Sequence, residues 1–201
     1  MDRPLRRLAQ LYAGLVLYGA SMALQIRAGL GLDPWDVLHQ GVADRTGLSF
    51  GTVVIITGAL VLLAWVPLRQ VPGIGTVSNV IVIGVAVDAT LAALPHAGSG
   101  PVAVAMLLAG VGLNGVAGGA YIGAGLGPGP RDGLMTGLVR RTGRSVRVVR
   151  TTIEVTVLVA GAALGGTVGV GTLVYAFSIG PLVHALLPRM TVAPRAAVAR
   201  A

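Results

Sequence analysis

The chain contains one sequence pattern twice. Residues 12–91 align with residues 108–187 at a constant offset of about 96 without a gap, and roughly 30 of about 80 aligned positions are identical. The clearest block reads AGLGLDPWD at 28–36 and AGLGPGPRD at 124–132. A duplicated fold is therefore predicted, and any fold proposed for this chain must accommodate two related halves.

The composition assigns this duplicated chain to the membrane proteins. Hydrophobic residues make up 54% and charged residues 11% of the sequence, whereas a soluble domain carries about 25% charged residues. The chain has no cysteine, which excludes disulfides and thiolate metal sites. An all-α integral membrane protein with one membrane domain over residues 1–201 is the predicted fold class.

Six stretches are apolar and long enough to cross a bilayer as helices. They lie at 8–26, 49–67, 74–94, 102–122, 149–167 and 171–187. Three fall in the first repeat, at about 8–95, and three in the second, at about 101–188.

The arginines predict the orientation of these spans. All 15 basic residues are arginines, and if the N-terminus is cytoplasmic only Arg27 and Arg45 fall outside, as the positive-inside rule requires. Three spans per repeat is an odd number, so the two repeats are predicted to have inverted topology. Both termini, including the arginine-containing tail at 189–201, are predicted to face the cytoplasm of a bacterial inner membrane. The net charge of +8 is then explained by arginines on the cytoplasmic side of the membrane, and no nucleic-acid partner is predicted.

The repeated motif predicts a short helix after the first span of each half. Its glycines permit positive φ, and a proline is well placed at the first turn of a helix. The motif residues are Gly29, Gly31 and Pro34 in the first half and Gly125, Gly127 and Pro130 in the second. The predicted half-helices, 34–44 and 130–140, are too short to span, so they either lie at the interface or re-enter the membrane.

Asp36 and Asp132 fall in the first turns of these half-helices, where a carboxylate interacts favourably with the helix dipole. Two interpretations stay open for them: caps at the membrane surface, or groups on a pathway for solute or protons. Trp35 is interpreted as an interfacial anchor, because its counterpart is Arg131.

Glycine pairs elsewhere in the chain predict close helix packing. The third span of each half begins with a Gly-x-Gly-Thr element, which contains Gly73 and Gly75 or Gly169 and Gly171. Gly115-x-x-x-Gly119 and Gly161-x-x-x-Gly165 have the same explanation. Glycine-rich faces of this kind also suit contacts in a homo-oligomer.

Few ionisable or polar groups fall within the predicted spans, so each is a candidate site. Asp88 and its counterpart His184 are interpreted either as a proton or solute relay or as groups that find a partner near a helix end. Glu154 follows Arg150 by four residues, the spacing of a helical ion pair. Asn79 and Asn114 are predicted to form interhelical hydrogen bonds or to line a pathway.

The sequence shows no arrangement typical of an enzyme or a metal centre. It has no His-x-x-x-His, no carboxylate pair within a span and no serine with a base nearby. We therefore expect no enzyme activity, no cofactor and no bound metal.

The motifs of the first half resemble a known family. The residues are GLGLDPWDVLH at 29–39, RTGLSFGT at 45–52 and PGIGT at 72–76. They are similar to the YczE/YyaS/YitT-type bacterial membrane proteins, to the YczE-like branch most closely. The resemblance implies a multi-pass inner-membrane protein of largely unassigned function and carries over no substrate and no site residue.

Two functions follow from these observations. The first is a small transporter or permease whose two halves give alternating access to a central site for an unidentified solute or ion. Its candidate pathway or coupling residues are Asp36, Asp132, Asp88, His184, Asn79, Asn114 and Glu154. The alternative is a non-transporting membrane scaffold or regulatory protein, which would use a surface such as the arginine-rich segment 131–150. In both cases the lipid bilayer is the principal partner.

Overall fold

The structure, a computed structural model, describes residues 4–97 and 100–192. These residues form eight α-helices and no strand. The helices are α1 (Pro4–Ala28), α2 (Pro34–Thr46), α3 (Phe50–Leu68), α4 (Ile74–Ala93), α5 (Pro101–Gly123), α6 (Pro130–Thr142), α7 (Val146–Ala163) and α8 (Val170–Met190). The part of the predicted cytoplasmic tail after residue 192 lies outside the described residues.

Five of these helices are long and apolar enough to cross a membrane: α1, α3, α4, α5 and α8. Large apolar side chains on their outer faces, such as Leu63 and Phe177, are exposed and contact the lipid of a bilayer. The sixth predicted span, 149–167, corresponds to α7, which is not among these five helices. α7 is less apolar than predicted, because it carries Arg147, Arg150 and Glu154, and it ends at Ala163, before the predicted end. The chain is an all-helical membrane protein.

The two short helices that the repeated motif predicts are α2 and α6. Each has 13 residues and begins at the motif proline. Each ends two residues later than predicted, because the C-cap is a glycine in the left-handed region, Gly47 at φ 73° and Gly143 at φ 68°. A glycine there ends a helix without the strain that a side chain would impose.

α1 and α5 run antiparallel through the centre of the fold, and small residues bring them together. A Cβ on Gly14 would lie 2.8 Å from the Tyr121 nitrogen, and one on Gly110 would lie 3.0 Å from the Ser21 oxygen. α4 packs against α1, and α8 packs against α5. The Gly115 and Gly119 face meets Leu182 and other side chains of α8, so these glycines serve packing within the chain.

Each half-helix packs against the third helix of the other half. α2 lies along α7, where the backbone of Leu38 meets Gly161, and α6 lies along α3. In the second contact the Trp65 ring covers Gly133, and its Nε1 donates a hydrogen bond to the Pro130 carbonyl (3.0 Å). The two halves are therefore interlocked.

The Gly-Leu-Gly loops complete the interlocking through the backbone. The Gly171 N–H donates to the Leu30 carbonyl (2.7 Å), and in the other half the Gly75 N–H donates to the Leu126 carbonyl (2.8 Å). Each loop thus binds the start of the other half's last helix. The first glycine of each Gly-x-Gly-Thr element, Gly73 or Gly169, is the N-cap of that helix. These elements were predicted only as close-packing positions, and the structure adds hydrogen bonds to that role.

Replacing Gly31 by alanine is expected to break one of these contacts. Gly31 has a φ of 111°, and a Cβ there would lie 2.6 Å from the Gly169 nitrogen. Backbone strain and steric clash together should lower the free energy of unfolding by roughly 2–5 kcal/mol. Thermal unfolding of the purified protein in detergent measures the effect.

Gly29→Ala is the matched control. Gly29 also has positive φ (65°), but a Cβ there meets nothing within 4 Å, so only about 1–2 kcal/mol of strain is expected. Equal losses for the two variants would show that the loop contact contributes nothing to stability.

Candidate functional site

A cavity of about 400 Å³ lies where the first turns of α2 and α6 approach each other. Side chains from all eight helices line it. The volume is in the range of small-molecule binding sites. The half-helices therefore do not lie flat on two surfaces: each begins at the cavity and ends at exposed residues, Thr46 and Thr142.

Asp33, rather than Asp36, caps α2. Asp33 Oδ1 accepts hydrogen bonds from the backbone N–H of Trp35 (2.8 Å) and of Asp36 (3.0 Å). Asp36 instead lies 3.1 Å from Nδ1 of His39, one turn later. All three polar side chains, those of Asp33, Asp36 and His39, are at most 3% exposed. The interpretation of Asp36 as a cap at the membrane surface is therefore wrong, because Asp33 is the cap and Asp36 lies in the interior of the protein.

Arg131 connects the two half-helices. It comes from the first turn of α6, and its guanidinium nitrogens lie 3.7 Å from Asp33 Oδ1 and 3.6 Å from Asp36 Oδ1. The same guanidinium lies 4.9 Å from the centroid of the Trp35 ring, which is a cation–π distance. Two helix N-termini and an arginine are all electropositive, so the two carboxylates supply the compensating charge.

Trp35 is not the interfacial anchor that the sequence predicts. Its side chain is buried, at 8% exposure, under Arg131. The repeat alignment contains the signal that was missed. Trp35 and Arg131 are counterparts in the repeat alignment, and the structure brings these two positions together where the half-helices begin.

Asp132 is the counterpart of Asp36, but it has different neighbours. Its Oδ2 accepts a hydrogen bond from the Tyr121 hydroxyl (3.2 Å), and it lines the cavity. No arginine or histidine of the described residues pairs with it within 4.0 Å. Asp132 has no counterpart of the histidine that contacts Asp36, since Met135 takes the place of His39.

Asn114 is the centre of a buried hydrogen-bond network. Its amide nitrogen donates to the Ser21 hydroxyl (2.8 Å), and its amide oxygen accepts from the Tyr175 hydroxyl (3.0 Å). Asn114 and its two partners, Ser21 and Tyr175, are all at least 90% buried. The interhelical hydrogen bonds predicted for Asn114 are therefore present, and Asn114 and Asn79 both also line the cavity.

The remaining candidate residues fall in two places. Glu154 and His184 line the cavity, and Glu154 forms the predicted ion pair with Arg150 at 2.8 Å. Asp88 does not reach the cavity. It accepts hydrogen bonds from the Ser49 hydroxyl (2.5 Å) and from the Gly51 N–H (2.7 Å). The predicted relay between Asp88 and His184 has no geometric support, because the structure places the two in different surroundings.

The hydrogen bonds of Asp88 hold α3 and α4 together along their line of contact, which we call the α3–α4 seam. There the helices are so close that a Cβ on Gly84 would lie 2.6 Å from the Gly51 oxygen. The counterpart seam, between α7 and α8, is open: these helices scarcely touch, and a Cβ on Gly180 would meet nothing within 4 Å. The cavity extends into this gap, where Arg150, Glu154 and His184 line it.

Comparison with known proteins identifies relatives but no activity. A family described as a family of unknown function, DUF6198, matches residues 5–188. An uncharacterized protein of Haemophilus influenzae is 38% identical over 173 residues, which cover 86% of this chain and 79% of the relative. The uncharacterized membrane protein YczE of Bacillus subtilis is 36% identical over 192 residues, 94% of this chain and 89% of the relative. No solved structure matches. The resemblance to YczE-type proteins is confirmed.

Replacing Arg131 by glutamine tests whether the buried charges hold the half-helices together. The substitution leaves two buried carboxylates without their cationic partner, and such a loss costs about 3–5 kcal/mol of unfolding free energy. Arg150→Gln is the control, since it breaks a half-exposed pair worth at most about 1 kcal/mol. Thermal unfolding compares the two, and equal stability would refute the bridging role of Arg131.

Proposed function

Because the chain belongs to the DUF6198 family, whose function is unknown, we propose from its own geometry that it is a small-solute transporter and not an enzyme. One observation carries this proposal: two half-helices begin at a shared polar cavity inside a helical membrane protein. Broken helices whose N-termini converge between two halves of a membrane protein are a recurrent construction of transporter binding sites. We place this transporter in the bacterial inner membrane.

The contacts between helix ends support inverted repeats. The start of α1 meets the end of α5, where Arg7 Nε donates to the Ala124 carbonyl (2.8 Å). At the other end of α1, the Arg27 carbonyl accepts from the Ala97 N–H (3.2 Å). In both contacts, the two helix ends that meet are ends that the arginine distribution assigns to the same side of the membrane. We therefore orient α2 toward the outside and α6 toward the cytoplasm, with the N-terminus cytoplasmic.

The two unequal seams support alternating access. In this orientation, the closed α3–α4 seam is on the outer side and the open α7–α8 seam is on the cytoplasmic side. The structure then corresponds to an inward-facing state. Closing the seam near Gly180 and His184 while opening the one near Gly84 and Asp88 would expose the cavity to the other side. The residues at the two seams differ, so the two states need not have equal stability.

Cysteine labelling at Gly180 tests whether the cavity holds water. The chain has no cysteine of its own, and both Gly180 and Gly112 have space for a Cβ. Only Gly180 lines the cavity. Because maleimides react with the thiolate, Gly180→Cys should react in proteoliposomes and Gly112→Cys should not. The readout is a mass shift of the intact protein.

Solute uptake by the same vesicles tests transport itself. Radiolabelled amino acids, sugars, nucleosides and quaternary amines are supplied to vesicles that contain the protein and to empty vesicles. A bulky maleimide on Gly180→Cys should abolish whichever uptake exceeds that of empty vesicles. Absence of any such uptake, or uptake unaffected by the label, would favour the scaffold function instead.

A further inference from the structure

We propose that Asp132, beside the hydroxyl of Tyr121, binds the ammonium group of a small organic cation. This inference rests on the proposed function in one respect, namely that the cavity admits a solute. It names the chemical class of that solute and the residues that select it. Three independent observations carry it: the balance of charge around the cavity, the convergence of polar atoms on Gly129, and the concentration of aromatic rings.

The charges around the cavity do not balance. Arg131 lies near two carboxylates, those of Asp33 and Asp36, and Arg150 pairs with Glu154. Asp132 adds a carboxylate without a cationic partner among the described residues. Four carboxyl side chains, those of Asp33, Asp36, Asp132 and Glu154, thus lie around the cavity with two arginines. Charges inside a membrane protein are normally paired, so the excess of negative charge favours a cationic ligand.

Three polar groups converge where the second half lacks a side chain. A Cβ placed on Gly129 would lie 3.1 Å from the Tyr121 hydroxyl, 3.2 Å from Asp132 Oδ2 and 3.6 Å from Asn79 Nδ2. Gly129 is the N-cap of α6 and makes no side-chain cap. In the first half the counterpart position is occupied by Asp33, whose side chain fills it. The glycine therefore leaves the Asp132 carboxylate open to the cavity.

Aromatic side chains are concentrated at the same cavity. The whole chain has four tyrosines and two tryptophans, and the cavity is lined by Tyr18, Tyr121, Tyr175 and Trp35. Tyrosine rings attract ammonium groups through their faces, and desolvation strengthens the attraction. Alkylated ammonium groups suit such a site better than Ca²⁺ or Mg²⁺, which prefer six or more oxygen ligands.

Binding is tested with a cation and its neutral isostere. Choline is compared with 3,3-dimethylbutan-1-ol, in which a carbon replaces the charged nitrogen, at constant ionic strength maintained with sodium chloride. Thermal stabilisation of the purified wild-type protein is the readout, and it requires no transport. We expect choline, and tetramethylammonium as a smaller probe, to stabilise the protein and the neutral alcohol to have little effect.

Asp132→Asn should weaken choline binding by about tenfold to a hundredfold, since it removes one charged partner. Asp44→Asn makes the same chemical change at an exposed position outside the cavity and should bind choline as the wild type does. Asp132→Glu retains the charge and should retain measurable binding if the asparagine variant does not fold.

The outcomes separate this inference from the proposed function. Equal stabilisation of the wild type by choline and its isostere, or unchanged choline binding in Asp132→Asn, would overturn the cation site, even if the vesicles take up another solute. Choline binding that depends on Asp132 without uptake of any solute would support the site and refute transport.

Discussion

The hydrogen bonds that the Gly-Leu-Gly loops make are the constraint on which the fold depends. Each loop is an irregular backbone segment between helices, and within a bilayer such a segment is tolerated only where its polar groups are satisfied by protein or water. The Leu30 and Leu126 carbonyls each accept a hydrogen bond from a backbone N–H in the other half. Neither half can therefore hold its own half-helix in place, which explains why the two halves interlock.

This arrangement has a chemical consequence at the centre. The first turns of two helices meet there, and their electropositive ends require negative charge. Asp33 and Asp36 supply it on one side, and Arg131 is held between them and Trp35. On the other side, Gly129 and Asp132 give a different surface. The duplicated backbone thus builds one cavity whose two walls have unlike chemistry.

Much of the fold could be predicted from the sequence, because the duplication and the apolar runs are local signals. The prolines at 34 and 130 predicted the starts of both half-helices, and the spans that became α1, α3, α4, α5 and α8 were identified from hydropathy. The polarity and the end of α7 were predicted less well, because Arg150 and Glu154 line a polar cavity that no local pattern shows. The repeat offset pairs residues by position and gives no distances. For this reason Asp88 and His184 were grouped as a relay, although the structure places them apart.

Some residues of the central site could be predicted from the sequence. Asp132, Asn79, Asn114, Glu154 and His184 were identified as polar groups in or near spans, and all line the cavity. Trp35 was assigned to the membrane interface and Arg131 to a surface segment, because a motif that breaks a helix usually indicates a surface. Only the tertiary contacts between the halves show that these residues are internal.

The inverted arrangement of the two half-helices is tested most directly by labelling their ends. Thr46 and Thr142 are counterparts at the exposed last residues of α2 and α6, and each can be replaced by a single cysteine. In intact spheroplasts, a membrane-impermeant maleimide should label Thr46→Cys, whereas Thr142→Cys should react only after the membrane is permeabilised. Labelling of both cysteines from the same side would contradict the inverted repeats and the cavity mechanism built on them.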